Sequence, residues 1–205
     1  MNLRPLTLLS IALVALLVPT LAAGTPAEPA DDAAEEVSFE DWLAGLSEPG
    51  PGHQVLDAIV GTWEGAGKIW DSIDSEPIPI QATVERHWVL GGRYLREAVQ
   101  VRTPGEELYE ALGFIGYNNG AGQYELLTID NASTSMLLEH GKFNPDTQQL
   151  VIRGTSRDPA TGYVLYRRIV MDLSQEGKIS VVGHLTDEEG REYKFLEGSV
   201  SRREK

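Results

Sequence analysis

Four charged side chains occur where a period-two chain would carry apolar ones. Arg86 alternates with Val84 and Trp88, Glu97 with Leu95 and Val99, Glu139 with Leu137, and Arg167 with Leu165, Ile169 and Met171. In an extended segment, residues i and i+2 share a face. Each of these charges therefore belongs to an apolar face. Burying an unpaired charge is costly, so such groups pair with each other, reach water or meet a ligand. The planar fork of arginine binds carboxylate or phosphate bidentately. Arg86 or Arg167 is thus a candidate anchor for the anionic head of an apolar ligand. Two readings compete with this: an internal salt-bridge network, or a register one residue away, which would turn every side chain to the opposite face. Trp88, Asp130 and His140 join Arg86, Glu97 and Arg167 as candidate ligand contacts. If the protein is an enzyme, an interior acid such as Glu97 or Asp130 is the candidate general base.

Other chemistries leave little trace. A serine nucleophile needs a base and an orienting acid. There is no Gly-x-Ser-x-Gly elbow, and Ser133, Ser135 and Ser156 have no histidine pairing nearby. Cysteine is absent, which removes disulfides, thiol chemistry, cysteine-ligated metals and a lipoprotein anchor. His53, His87, His140 and His184 are the only histidines, and none lies at His-x-His or His-x-x-x-His spacing, so no metal site is expected. Gly91-Gly92-Arg93 leads into a strand rather than a helix, and reads as a hairpin instead of a phosphate cradle. Asn131-Ala132-Ser133 fits a glycosylation triplet, which matters only in a eukaryotic secretory route.

The elements that position these residues follow from pattern and turn chemistry. Arg4, the apolar run Leu6 to Val18, Pro19 and the small residues Thr20, Ala22, Ala23 and Gly24 make residues 1–24 a cleaved secretory signal. The apolar run is too short for a membrane span, which needs about 20 residues. A secreted or periplasmic protein with no remaining span is expected. Residues 25–48 hold eight acids and no Lys or Arg, within a chain of net charge −14. Such a chain is repelled by phosphate backbones, so nucleic acid is not an expected partner. Residues 25–37 lack the apolar surface to fold and read as a linker. Within the acidic segment, Ser38 caps a helix over 38–46 with Phe39, Trp42, Leu43 and Leu46 on one face. That face is expected to dock on the domain, or to bind a partner. Pro49 to Gly52 breaks the chain, and a second short helix runs from His53 to Val60, stopped by Gly61.

From Gly61 onward the pattern is β. Ten strands are expected, near 62–70, 79–90, 93–102, 108–117, 123–130, 135–143, 149–156, 163–173, 178–186 and 192–202. Gly-, Asn-, Asp- and Pro-containing turns separate them. No connection is long enough for a crossover helix, so neighbours run antiparallel. Ten hairpin-linked strands would leave two exposed edges, which closure into an up-and-down barrel removes. The domain is expected to span 49–205.

Several motifs resemble a known group. Gly61-Thr62-Trp63 after a short helix is similar to the G-x-W signature of lipocalins and other calycins, in which an arginine of the last strand packs on the tryptophan. Arg202 or Arg203 would be the match. Pro51-Gly52-His53, Trp88 to Leu95 (including Gly91, Gly92 and Arg93), Leu112 to Asn118, Ile129-Asp130-Asn131, Gly141-Lys142-Phe143 and Ser201-Arg202 recur with it. Together they resemble a calycin-like domain of unknown function found in mostly bacterial, often exported proteins. In place of the aromatic that often precedes the Ile-Asp pair, this chain has Leu126-Leu127-Thr128.

The resemblance implies a lipocalin- or fatty-acid-binding-protein-like barrel, with the short helix closing one end. Some calycins bind haem through one barrel histidine. Here His184 and His87 share faces with polar residues, whereas His140 shares one with Met136 and Leu138 and is the strongest of the three. No motif requires a cofactor. A small-molecule-binding barrel, for an apolar ligand with or without an anionic head, is the leading expectation, ahead of a filled barrel acting as an interaction module.

Overall fold

β-branched and aromatic residues alternate with polar ones from Gly61 to Arg202, and this stretch forms a single closed sheet. The structure, a computed structural model, describes residues 37–105, 108–158 and 161–204. The signal peptide expected over 1–24 and the linker up to residue 36 lie outside the described residues. The strands are β1 (Gly61–Ile69), β2 (Ile78–Val89), β3 (Tyr94–Arg102), β4 (Tyr109–Asn118), β5 (Gln123–Asp130), β6 (Leu137–Asn144), β7 (Gln149–Arg157), β8 (Val164–Asp172), β9 (Lys178–Thr186) and β10 (Glu192–Arg202). Each pairs antiparallel with its sequence neighbours, and β1 closes on β10 from Trp63↔Arg202 to Ile69↔Leu196. This is an all-β up-and-down barrel of ten strands. No edge is left to template association.

One end of the barrel has a floor. Pro51 opens a one-turn helix, α2 (Pro51–Gln54), which tightens into a 3₁₀ turn over Val55–Ile59. The second helix therefore starts two residues before the expected His53 and changes type midway. Proline at the first helical position is pre-set for helical φ, so Pro51 extends the helix rather than breaking the chain. Leu56 and Ile59 are 1% and 0% exposed. They pack with Trp63, Leu95, Leu150 and Ile179 in the interior.

The floor is locked by the last strand. The Trp63 indole N–H donates to the Ile59 carbonyl at 2.9 Å. The Arg202 guanidinium lies 4.4 Å from the Trp63 ring centre and donates to the carbonyls of Ala58, at 3.1 Å, and of Val60. These are carbonyls that a helix end leaves unpaired. Gly61 follows Val60 with φ +116°, and a Cβ there would come within 2.9 Å of Arg202 Nη1. Arg203 instead turns outward to Glu64 at 3.0 Å. Arg202 is thus the arginine of the G-x-W pair.

Helix α1 (Phe39–Ser47) forms where its apolar spacing predicts, with the Ser38 hydroxyl accepting from the Asp41 N–H at 3.1 Å. Two hairpins hold its C-terminal end. Arg93 Nε donates to the Ser47 carbonyl at 2.7 Å, and Asn119 Nδ2 donates to the carbonyls of Gly45 and Glu48. Arg93 follows the Gly91-Gly92 turn, whose φ values of +68° and +83° suit glycine. The apolar face of α1 does not dock as expected. Phe39 is 72% exposed and Trp42 52%, because the contacts to the barrel are made by the last turn alone.

Replacing Arg202 with alanine unpairs two carbonyls and removes the ring contact. We expect a loss of about 1–2 kcal/mol, read by urea unfolding. Arg203→Ala, which breaks only an exposed ion pair, should cost less than about 0.5 kcal/mol in the same measurement.

Candidate functional site

Strand alternation aims a defined set of side chains into the barrel. Above the floor, Leu95, Ile115, Leu126, Ile152 and Met171 are buried. The next tier toward the open end is polar. Arg86 and Glu97 face each other across β2 and β3, with Nε to Oε2 at 2.5 Å and both side chains nearly buried. Glu139 of β6 meets Arg167 of β8 at 3.5 Å. The strand between them carries Gly154, where a Cβ would lie 2.6 Å from Glu139 Cγ. That glycine makes the slot in which Glu139 lies across β7.

One ion pair joins β2 to β3, and the other spans from β6 to β8. The Tyr109 hydroxyl lies in the field of Asp130, Arg167 and Glu97; burial first, then Asp130, pushes it up to about 12. Tyr109 donates to Asp130 Oδ2 at 3.4 Å. Burial also lifts the Glu139 carboxyl above the ordinary carboxylate range, against the opposing pull of Arg167. Three buried atoms in this tier have no hydrogen-bond partner among the described residues: Arg86 Nη1, Arg167 Nε and Glu139 Oε1. Nearer the mouth, the inward positions Val101, Leu137, Leu165 and Leu185 are only half-buried. The interior is therefore packed below and open above. A cleft of about 420 Å³ lies against β3–β5, lined chiefly by the outward-facing Ala98, Gln100, Glu110, Leu112 and Ile129.

Of the residues singled out from sequence, Arg86 and Glu97 come together, and Arg167 pairs with Glu139. Asp130 lies above them, but its Oδ1 accepts from the N–H groups of Ala132 and Ser133 at 3.0 and 2.8 Å. Its carboxylate closes its own turn. Trp88 points inward, with its indole N–H on Asp57 Oδ1 at 2.9 Å. It braces the floor.

His140 is a correction: its face is the outer one. Met136 and Leu138 beside it are 72% and 68% exposed, and His140 Nδ1 lies 3.1 Å from Gln123 Nε2 at the surface. The inward series of β6 is Leu137, Glu139, Gly141 and Phe143. His87 is exposed, His184 pairs across strands with Arg168 and Lys194 on the outer face, and His53 lies in the floor, accepting from the Gly50 N–H at 3.1 Å. The haem reading thus has no strand histidine facing the interior. Among the described residues, no group of three or more His, Asp or Glu is placed to hold a metal ion. The roles of Tyr109 and Gly154 were missed. An isolated glycine inside a strand signals close approach of another group, and Gly154 carried that signal.

These placements fix two stability effects. Glu97→Gln leaves the nearly buried Arg86 charge without its carboxylate and should cost about 3 kcal/mol by urea unfolding, whereas Arg86→Met with Glu97→Leu should return close to wild type. For Glu139, the folded-state value is raised, so its contribution is complete at acid pH and is lost as pH rises through that value. Glu139→Gln should match wild type near pH ~4 and gain on it progressively toward pH ~8 in paired unfolding curves.

Comparison with known proteins gives the fold a relative and the chain a family. The crystal structure of Rv2717c from M. tuberculosis superposes with a TM-score of 0.58, covering 77% of this chain and 100% of that one at 17% sequence identity. A likeness at that identity shows the fold alone. No curated protein matches. Residues 48–202 match the model of a family described as "Protein of unknown function (DUF1579)", as the G-x-W, hairpin and Ser201-Arg202 motifs anticipated. From Glu48, just ahead of the floor helix, to the arginine that locks it, the chain belongs to the DUF1579 family.

Proposed function

We propose that this is an exported small-molecule-binding barrel that holds an apolar ligand in its open half, with the ligand's polar head on Arg86 or Arg167. One observation carries the reading. Each arginine keeps a buried N–H without a partner in the tier where the packed floor gives way to half-buried apolar walls. An unsatisfied buried donor costs about 1–3 kcal/mol, which a ligand oxygen would return. Val101, Leu137, Leu165 and Leu185 supply the apolar wall above. A filled barrel would need those positions sealed like the floor, and their exposure argues against it. Export is supported by Arg4 and the Leu6–Val18 run ahead of small residues. Among the described residues no helix is long and apolar enough to cross a membrane.

Purified protein lacking residues 1–24, exposed to a broad lipid extract and examined by native mass spectrometry, should retain a discrete adduct. Arg167→Met should weaken retention by about tenfold, equivalent to ~1.4 kcal/mol. Bare protein across varied extracts would refute the proposal.

A further inference from the structure

The polar tier has a hydrogen-bonding pattern more specific than a positive anchor. It contains two guanidinium groups, Arg86 and Arg167, against three carboxylates, Glu97, Glu139 and Asp130. Its unfilled positions are two donors, Arg86 Nη1 and Arg167 Nε, and one oxygen, Glu139 Oε1. A carboxylate entering this tier suits the donors. It also adds a negative charge beside an unpaired glutamate oxygen, in surroundings where like charges in close contact cannot both stay ionised at ordinary cost.

Glu139 is the group that can relieve this. It is 4% exposed, and Arg167 on β8 is its ion-pair partner, at 3.5 Å. On β7 it faces the Gly154 backbone, which contributes no charge. Leu126 faces it on β5. The remaining titratable groups of the tier are Tyr109 on β4, Asp130 on β5 and the Arg86–Glu97 pair on β2 and β3. Glu97 is held by Arg86 and Asp130 by its turn, so each has its negative charge matched by donors already in place. Glu139 has one oxygen with no donor at all.

Resting on the reading of the open half as a small-molecule site, we infer that the barrel binds an apolar carboxylic acid and that Glu139 takes up one proton as the ligand carboxylate enters. A ligand oxygen accepts from Arg167 Nε, whose guanidinium already stands beside Glu139. The proton comes from solvent onto Glu139, whose O–H then donates to the ligand. No bond other than O–H is made, and the charge of the tier is unchanged by binding. Burial, which already favours the neutral form of Glu139, acts in the same direction.

Decanoic acid and decanamide separate this from simple anion binding. The amide presents an acceptor to Arg167 and an N–H to Glu139 Oε1, so it needs no proton. Calorimetry near pH ~7 in two buffers of different ionisation enthalpy should show about one proton taken up with the acid and none with the amide. Affinity for the acid should fall about tenfold per pH unit on the alkaline side, and Glu139→Gln should abolish both the uptake and that slope. Acid binding without proton uptake in the wild type overturns the inference and leaves the small-molecule reading intact. So does uptake that persists in Glu139→Gln. If neither probe binds at about 1 mM while an adduct from extract is retained, the carboxylic-acid assignment alone falls. If the protein also stays bare in extract, both fall.

Discussion

The barrel depends on the contact between Arg202 and the floor. A sheet of ten strands must close, and a closed sheet of this width must be plugged at one end if it is to have a core at all. Arg202 is the last residue of β10 and stands opposite Trp63 in the seam with β1. Its guanidinium covers the indole, while its N–H groups terminate the 3₁₀ turn that seals the interior. Closure, plugging and helix termination therefore converge on one side chain. The indole N–H, the helix-end carbonyls and the ring face are each satisfied by a neighbour that the others position.

Once the floor is fixed, the rest of the interior follows from alternation. Below, Leu56, Ile59, Leu95 and Leu150 are fully excluded from water and form a close-packed core. Above, glycines on the inward series leave room where side chains would otherwise meet. Gly154 admits Glu139, and Gly113 lies beside Glu97 with only 3.8 Å between a notional Cβ and Oε1. The polar tier is thus built by what its neighbours lack as much as by the charges themselves. Stability comes from the lower half, and the upper half is free to carry groups that a sealed core would exclude.

Most of this was legible in the sequence, for a physical reason. Hairpin turns mark their own positions through Gly, Asn and Asp, so all ten strands fall within two residues of the expected limits. The inward direction of Arg86, Glu97 and Arg167 followed from the apolar neighbours two residues away on their own parity. His140 failed because both parities of its strand are apolar there: Leu137 lies inward while Met136 and Leu138 lie outward and exposed. The same outer face carries Leu112, Phe114 and Ile129 at the surface, so a hydrophobic side chain on these strands does not by itself mark the interior. Pro51 misled for the opposite reason. It looked like a break, and its fixed φ is instead suited to the first turn of a helix. Diagonal contacts between neighbouring strands, such as Tyr109 with Asp130, depend on the pairing register, which period-two alternation does not encode.

Stability alone gives no account of the polar tier. Buried ion pairs are at best near break-even against apolar residues of the same size. This tier is worse placed than most, because three of its buried atoms remain unpaired. The strands around it show that the chain could have been apolar throughout: Val84, Ile115 and Leu126 occupy adjoining inward positions without difficulty. Orphaned donors and an orphaned carboxylate oxygen together are incomplete in both senses of a hydrogen bond. A plain anion would complete only the donors. A group that accepts from arginine and meets Glu139 through a proton would complete the whole set, and that requirement, rather than the barrel shape, would narrow the chemistry of any molecule bound there.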